Sequence, residues 1–161
     1  MNNSEINSVF AHMPDFGFIA IGGSEAIDFL QSIITANVET LADGAMRQGA
    51  LLTPQGRILT DFMIYRIAAN EFILQCEADR SDDLYTRLRR YRLRRPVTIE
   101  KRNDLVCHIW WHLDMVPASM PNLFADPRDS ALGYRYLGAD ANTLLGTHGA
   151  KPGNIDDWHA I

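Results

Sequence analysis

The sequence predicts an α+β fold, a mostly antiparallel sheet with helices packed on it. Three observations point there. Residues Leu51–Phe62 read as strand, tight turn, strand. Two stretches, Ser24–Thr35 and the run before Pro96, carry apolar residues at helical spacing. The strand-like runs between them follow at short intervals, which suits hairpins and not long parallel crossovers.

The elements follow in order. Phe16–Ile21 (FGFIAI) is a short strand, broken by Gly22-Gly23. Ser24 reads as a helix N-cap with Glu25 in the first turn, where the helix dipole favours an acid. Ile27, Leu30 and Ile34 supply the apolar stripe of that helix. Arg47–Leu52, Ile58–Ala68 and Phe72–Glu77 are three strands of an antiparallel meander, with a break at Ala69-Asn70. In the first connection, Thr53-Pro54-Gln55-Gly56, proline presets φ at the second turn position and glycine tolerates the geometry that follows.

A second helix opens among Asp79, Ser81, Asp82 and Asp83 and closes among arginines, the charge order a helix macrodipole prefers. Leu84, Leu88 and Tyr91 form its apolar face, and Pro96 ends it. Val97–Lys101 and Leu105–Trp111 return as strands. Beyond Trp111, Asp114–Ser130 reads as loop, Leu132–Leu137 as one more strand, Ala139–Gly153 as loop and Ile155–Ile161 as a helix start. Residues 1–15 are thus expected to be a flexible leader, 16–113 a first domain, and 114–161 the loop-rich, incomplete start of another.

Composition narrows the function. With 161 residues, 47% hydrophobic and 22% charged, the chain can bury a real core. A formal charge of −5 does not suggest a general nucleic-acid binder, yet eight of the fifteen basic residues fall between Arg87 and Arg102. Cys76 and Cys107 stand far apart in apolar runs and read as buried thiols of a reducing compartment. No basic stretch followed by an apolar run opens the chain, and no apolar run approaches a membrane span. A cytoplasmic location is expected.

Three constellations carry possible chemistry. Side chains alternate along a strand, so Asp61, Met63 and Tyr65 share one face of Ile58–Ala68. An acid, a thioether and a phenol line a pocket for a flat, amine-bearing ligand more naturally than they fill a core. The alternative is a solvated Asp61. The arginine cluster, with Arg87, Arg90 and Arg94 foremost, could hold RNA backbone or an acidic ligand tail, or lie solvated at a helix end. His108 and His112 flank a tryptophan pair without a third ligand at metal-binding spacing, so no metal is assigned.

Gly23-Ser24-Glu25-Ala26, Phe29-Leu30-Gln31 and Ile34-Thr35-Ala36-Asn37-Val38 open a pattern that resembles the YgfZ family, folate-binding relatives of the glycine-cleavage T-protein, an aminomethyltransferase. Leu51–Phe62, Tyr91-Arg92-Leu93-Arg94, Asp126-Pro127-Arg128 and Leu132-Gly133-Tyr134-Arg135 continue it. The resemblance implies tetrahydrofolate, or a one-carbon derivative, in a cavity between domains. Its second strand acid, which meets the folate amine, falls on Asp61, and its nearby aromatic on Tyr65. Met63, Asn37 and Gln55 are lesser candidates for the folate pocket wall.

Thr60 stands where the T-protein carries a first acid, and Gly56-Arg57 where it carries Gly-Gly. These departures favour the YgfZ branch, whose members resemble folate-dependent factors for tRNA modification and iron–sulfur enzyme maintenance. Its expected partners are folate with tRNA or an iron–sulfur protein. The aminomethyltransferase alternative implies a lipoyl carrier protein, and a third reading is a non-enzymatic RNA-binding or interaction module. The branch's cysteine motif, K-G-C-Y-x-G-Q-E, would lie downstream of Ile161. The expectation is therefore a chain truncated within a multidomain fold and not catalytically competent alone.

Overall fold

The structure is a computed structural model, and it describes residues 8–113, 116, 120–139 and 141–161. The chain forms two compact units. Asp15–Asn103 is one, and Met1–Pro14 with Asp104–Ile161 is the other. Each unit is built on a five-stranded sheet.

In the contiguous unit the sheet runs β3-β4-β5-β2-β6, all antiparallel. Its strands are β2 (Phe16–Gly22), β3 (Met46–Leu52), β4 (Ile58–Ala68), β5 (Glu71–Glu77) and β6 (Thr98–Lys101). The expected meander is present as β3-β4-β5. At the first turn Gly56, with φ +82°, donates its N–H to Thr53 O at 2.9 Å, and the Arg57 N–H reaches Thr53 Oγ1 at 3.1 Å.

Two helices cover one face of this sheet, α1 (Ala26–Ile33) and α2 (Ser81–Arg92). Ile19, Ile21, Phe62, Ile64, Phe72 and Leu74 point from alternate strand positions into a core shared with Phe29, Leu30, Leu84 and Leu88. Burying a leucine such as Leu84 or Leu88 contributes about 1.5–3 kcal/mol. The helix details differ from expectation. Ser24 is no N-cap: α1 begins after Glu25 without a side-chain cap, and its stripe is Ala26, Phe29 and Leu30, with Ile27 only half-buried. In α2, Tyr91 leaves the core and is exposed.

Gly23 explains the break after β2. Its φ is +111°, and a Cβ there would meet Pro96 O at 2.5 Å, so only glycine lets the two backbones approach. At the other end of α2 the chain turns at Leu93, a non-glycine residue with φ +55°.

The second unit corrects the expected domain boundaries. Residues 9–13, within the expected leader, form β1 (Val9–Met13). It pairs antiparallel with β7 (Val106–Trp111) and parallel with β10 (Lys151–Pro152). β7 therefore belongs to this sheet, ordered β10-β1-β7-β9-β8, and not to the sheet of β2–β6. The region expected to be loop also holds β8 (Leu123–Ala125), α3 (Asn142–Thr147) and β10, while β9 (Tyr134–Gly138) answers the expected strand at Leu132–Leu137. A helix, α4 (Ile155–His159), follows as expected. Short strands carry too few residues for an alternation to show, which is why the loop reading failed there.

One buried ion pair fastens α4. Asp126 accepts from Arg128 Nε at 2.9 Å and Nη2 at 2.6 Å, and Arg135 Nε stands 3.4 Å away. Both guanidiniums lie over the Trp158 ring, at 5.7 and 5.9 Å, and the indole N–H donates to Leu132 O at 2.9 Å. Burial alone would raise the Asp126 carboxyl, but hydrogen bonds from Arg128 and the two positive charges outweigh it and hold the group below the usual range. The carboxylate's contribution is thus complete above its unfolded value near 3.8 and fades as pH falls through the lower folded value. Asp126→Asn should cost about 3 kcal/mol or more at pH 7, because Arg135 is left buried against a neutral amide. Urea melts at pH 7 and below pH 3 should show that difference shrinking with acidity; an equal gap at both would refute the ion-pair account.

Candidate functional site

β4 presents two faces fixed by its register. Phe62 and Ile64 enter the core under the helices. Asp61, Met63 and Tyr65 share the other face, opposite Ala50, Gln48 and Met46 of β3 respectively. On the β5 side Met63 faces Gln75 and Tyr65 faces Ile73. Two residues further along that ladder, Asp61 comes level with Glu77.

The three expected pocket residues have different fates. Tyr65 is fully buried, and its hydroxyl donates to Gln75 Oε1. Met63 is buried as well, at 7% exposure. Asp61 is exposed, and it lines a cleft of about 170 Å³ with Ile58, Leu59, Thr60, Glu77 and Arg80. Met63, Tyr65, Asn37 and Gln55 are not among the residues of that cleft. Asn37 is exposed and serves its own loop: its Oδ1 accepts from the Thr40 N–H at 3.2 Å, and its carbonyl accepts from Arg47 at 2.5 Å. Gln55 is exposed at the hairpin turn.

Thr60 borders the cleft, but it pairs with Leu51 of β3 and so stands on the helix-covered face of the sheet, opposite to Asp61. Its buried Oγ1 has no hydrogen-bond partner among the described residues, which costs the fold roughly 1–3 kcal/mol. Glu77 and Arg80 were missed by sequence reasoning. The signal for Glu77 lay in the strand pairing, since antiparallel partners bring together residues far apart in sequence.

The electrostatics of the cleft are acidic. The Cys76 thiol is pushed up to about 11, first by burial and then by the negative charges of Glu77, Asp61 and Asp79. Both cysteines are buried, as expected. The site therefore suits a ligand that brings an amine or a ring N–H, with Arg80 as the cation lining the cleft among the described residues.

The arginine cluster divides. Arg87 is half-buried and pairs with Asp83 at 2.8 Å, one helical turn back. Arg90 lies with Tyr85, Thr86, Arg89 and Arg92 around a second cleft of about 340 Å³, and Arg94 is exposed beyond the helix end. In the other unit His108 is buried beside His12, with ring centroids 5.2 Å apart, while His112 is exposed past the end of β7. Those two histidines of the motif do not come together. Among the described residues no helix is long and apolar enough to cross a membrane.

Comparison with known proteins follows this geometry. A family model described as the GCVT N-terminal domain matches residues 7–110. The chain is 31% identical over 128 residues to the iron–sulfur cluster assembly factor IBA57 homolog of Pyricularia oryzae, covering 74% of this chain and 33% of that protein. It is 28% identical over 166 residues to mitochondrial IBA57 of Mus musculus, covering 88% and 46%. It is 27% identical over 165 residues to the aminomethyltransferase of Chloroherpeton thalassium, covering 94% and 45%. The chain thus spans less than half the length of these relatives. The crystal structure of glycine cleavage system aminomethyltransferase T from Bartonella henselae superposes with a TM-score of 0.59 at 20% identity, over 66% of this chain and 29% of that one. At that identity the likeness is one of fold.

The two ends of the strand face should respond differently to mutation. Asp61→Asn, at an exposed position, should change stability by no more than about 0.5 kcal/mol. Tyr65→Phe removes the donor to buried Gln75 and should cost about 1–3 kcal/mol. Chemical denaturation of both variants checks this, and equal effects would contradict the assigned burial. Cys76, held as a buried thiol, should resist iodoacetamide at pH 8 in the folded protein and react on unfolding, read by mass spectrometry of the labelled peptide.

Proposed function

This chain belongs to the family of the GCVT N-terminal domain, and we propose that its Asp61 cleft is one wall of a tetrahydrofolate site in an iron–sulfur maintenance factor of the YgfZ and IBA57 kind. The observation that carries the reading is the cleft itself: the exposed carboxylate of Asp61 at the start of β4 beside a second acid, Glu77, at the end of β5, with Arg80 next to them. Tetrahydrofolate, when bound, supplies secondary amines and a one-carbon carrier. Asp61 accepts a hydrogen bond from such an amine and holds positive charge there. Arg80 balances the acids.

The fit is to the amine-bearing portion of the ligand. Sites for molecules of this size run to roughly 300–1,000 Å³, and the Asp61 cleft measures about 170 Å³. Further walls are needed before water is excluded, so one-carbon transfer belongs in this reading to an assembled cavity. Thr60 at the first acid position favours the maintenance branch, in which folate occupancy supports iron–sulfur enzymes, tRNA-modifying ones among them. Two buried cysteines suit a reducing compartment such as the cytoplasm. A second reading, aminomethyl transfer from a lipoyl carrier protein, has in its favour the match to the Chloroherpeton enzyme over 94% of the chain.

Calorimetric titration with tetrahydrofolate under anaerobic conditions tests the site. Asp61→Ala should weaken binding at least tenfold, about 1.4 kcal/mol, with the variant folded by circular dichroism. Binding unchanged by Asp61→Ala would remove the cleft from the folate site. A folate-dependent methylene-transfer assay with lipoyl carrier separates the second reading from the first.

A further inference from the structure

From Leu84 to Ile99 the chain carries six arginines and no acid, within a protein of formal charge −5. The structure gathers them at the C-terminal end of α2 and the turn beyond it. Arg87 is neutralised by Asp83, and Arg92 donates to Val97 O at 3.2 Å, which holds the turn. Arg89, Arg90, Arg94 and Arg95 have no acidic partner among the described residues. Arg89 lies over the Tyr85 ring at 5.5 Å, beside the cleft of about 340 Å³ that Arg90, Arg92 and Thr86 also line. Between these cations stand two large apolar side chains in solvent: Tyr91 at 39% exposure and Leu93 at 80%.

We infer that this patch docks an acidic protein segment bearing an apolar residue, with Leu93 and Tyr91 as the contact centre and Arg89, Arg90, Arg94 and Arg95 gripping carboxylates around it. The charge defines the sign of the partner. Planar guanidiniums pair with carboxylates through two parallel hydrogen bonds, which gives orientation as well as attraction. Composition selects protein over nucleic acid. Interface centres are rich in arginine and tyrosine and poor in lysine and acids, and lysine is absent from Leu84–Ile99. A leucine projecting between cations gains nothing from phosphates, and one aromatic is little for base stacking. A second copy of this chain is the weaker candidate, because the patch carries no acids and cannot be complementary to itself across a two-fold axis. The surface is separate from the Asp61 cleft and does not depend on the folate reading.

The test uses fluorescence anisotropy on the intact chain with three labelled probes: a 15-residue Glu/Asp-rich peptide with a central leucine, the same peptide with serine for leucine, and a 15-nucleotide single-stranded RNA. The leucine peptide should bind tightest, with affinity falling as salt rises from 50 to 200 mM. The double variant Arg90→Ala/Arg94→Ala should weaken it at least tenfold, and Leu93→Ser about three- to tenfold while abolishing the preference over the serine peptide. Arg57→Ala, an exposed arginine away from the patch, should leave it unchanged. These are surface positions, and an unaltered melting temperature confirms that each variant folds. RNA bound more tightly than the leucine peptide, binding indifferent to Leu93→Ser, or no binding of the leucine peptide at 50 mM salt would each overturn the proposal. So would concentration-dependent self-association in sedimentation that Arg90→Ala/Arg94→Ala abolishes, since it would assign the patch to a second copy.

Discussion

The register of β4 between β3 and β5 is the constraint on which the rest of the contiguous unit depends. Side chains alternate with a period of two, so a slip of one residue would send Asp61 into the helix-covered core and Phe62 out of it. Phe62 and Ile64 on one face prevent that, because burying them under α1 and α2 rewards only one pairing. The hairpin turn at Thr53–Gly56 sets the same register from the other direction. An exposed carboxylate beside a buried strand is thus a product of hydrophobic pattern and turn geometry together, and no local preference of the aspartate is involved.

Much of this was legible in the residues. The meander, both helices of the contiguous unit and the face shared by Asp61, Met63 and Tyr65 followed from periodicity and turn chemistry. The degree of burial along that face did not. Tyr65 and Asp61 stand on the same side of one strand, yet one is sealed and the other open, because burial depends on what covers each position and alternation speaks only of direction. Glu77 and Arg80 were invisible for a related reason: strand pairing brings them to Asp61 across a separation in sequence that no local window spans. The leader failed most plainly. VFAHM has five residues, too few to display an alternation, and its partners lie about a hundred residues away.

Charge is distributed here as two opposed surfaces. Around Asp61 the acids outnumber the arginine among the described residues of the cleft, and their field reaches Cys76 through the sheet. Arg89, Arg90, Arg94 and Arg95 have no acidic partner among the described residues. Separation of this kind costs little, since each patch is solvated and screened over about 10 Å.

The interrupted unit carries a consequence for synthesis on the ribosome. β1 emerges first, but β7, its antiparallel partner, begins at Val106 and its parallel partner at Lys151. At roughly 5–20 residues per second, an apolar strand waits several seconds or more with both edges unpaired while Asp15–Asn103 is made and folds as a contiguous piece. Such a strand is a template for pairing with other chains. The exposure of β1 is therefore set by the length of chain that must be made before its partners, whatever the stability of the finished sheet.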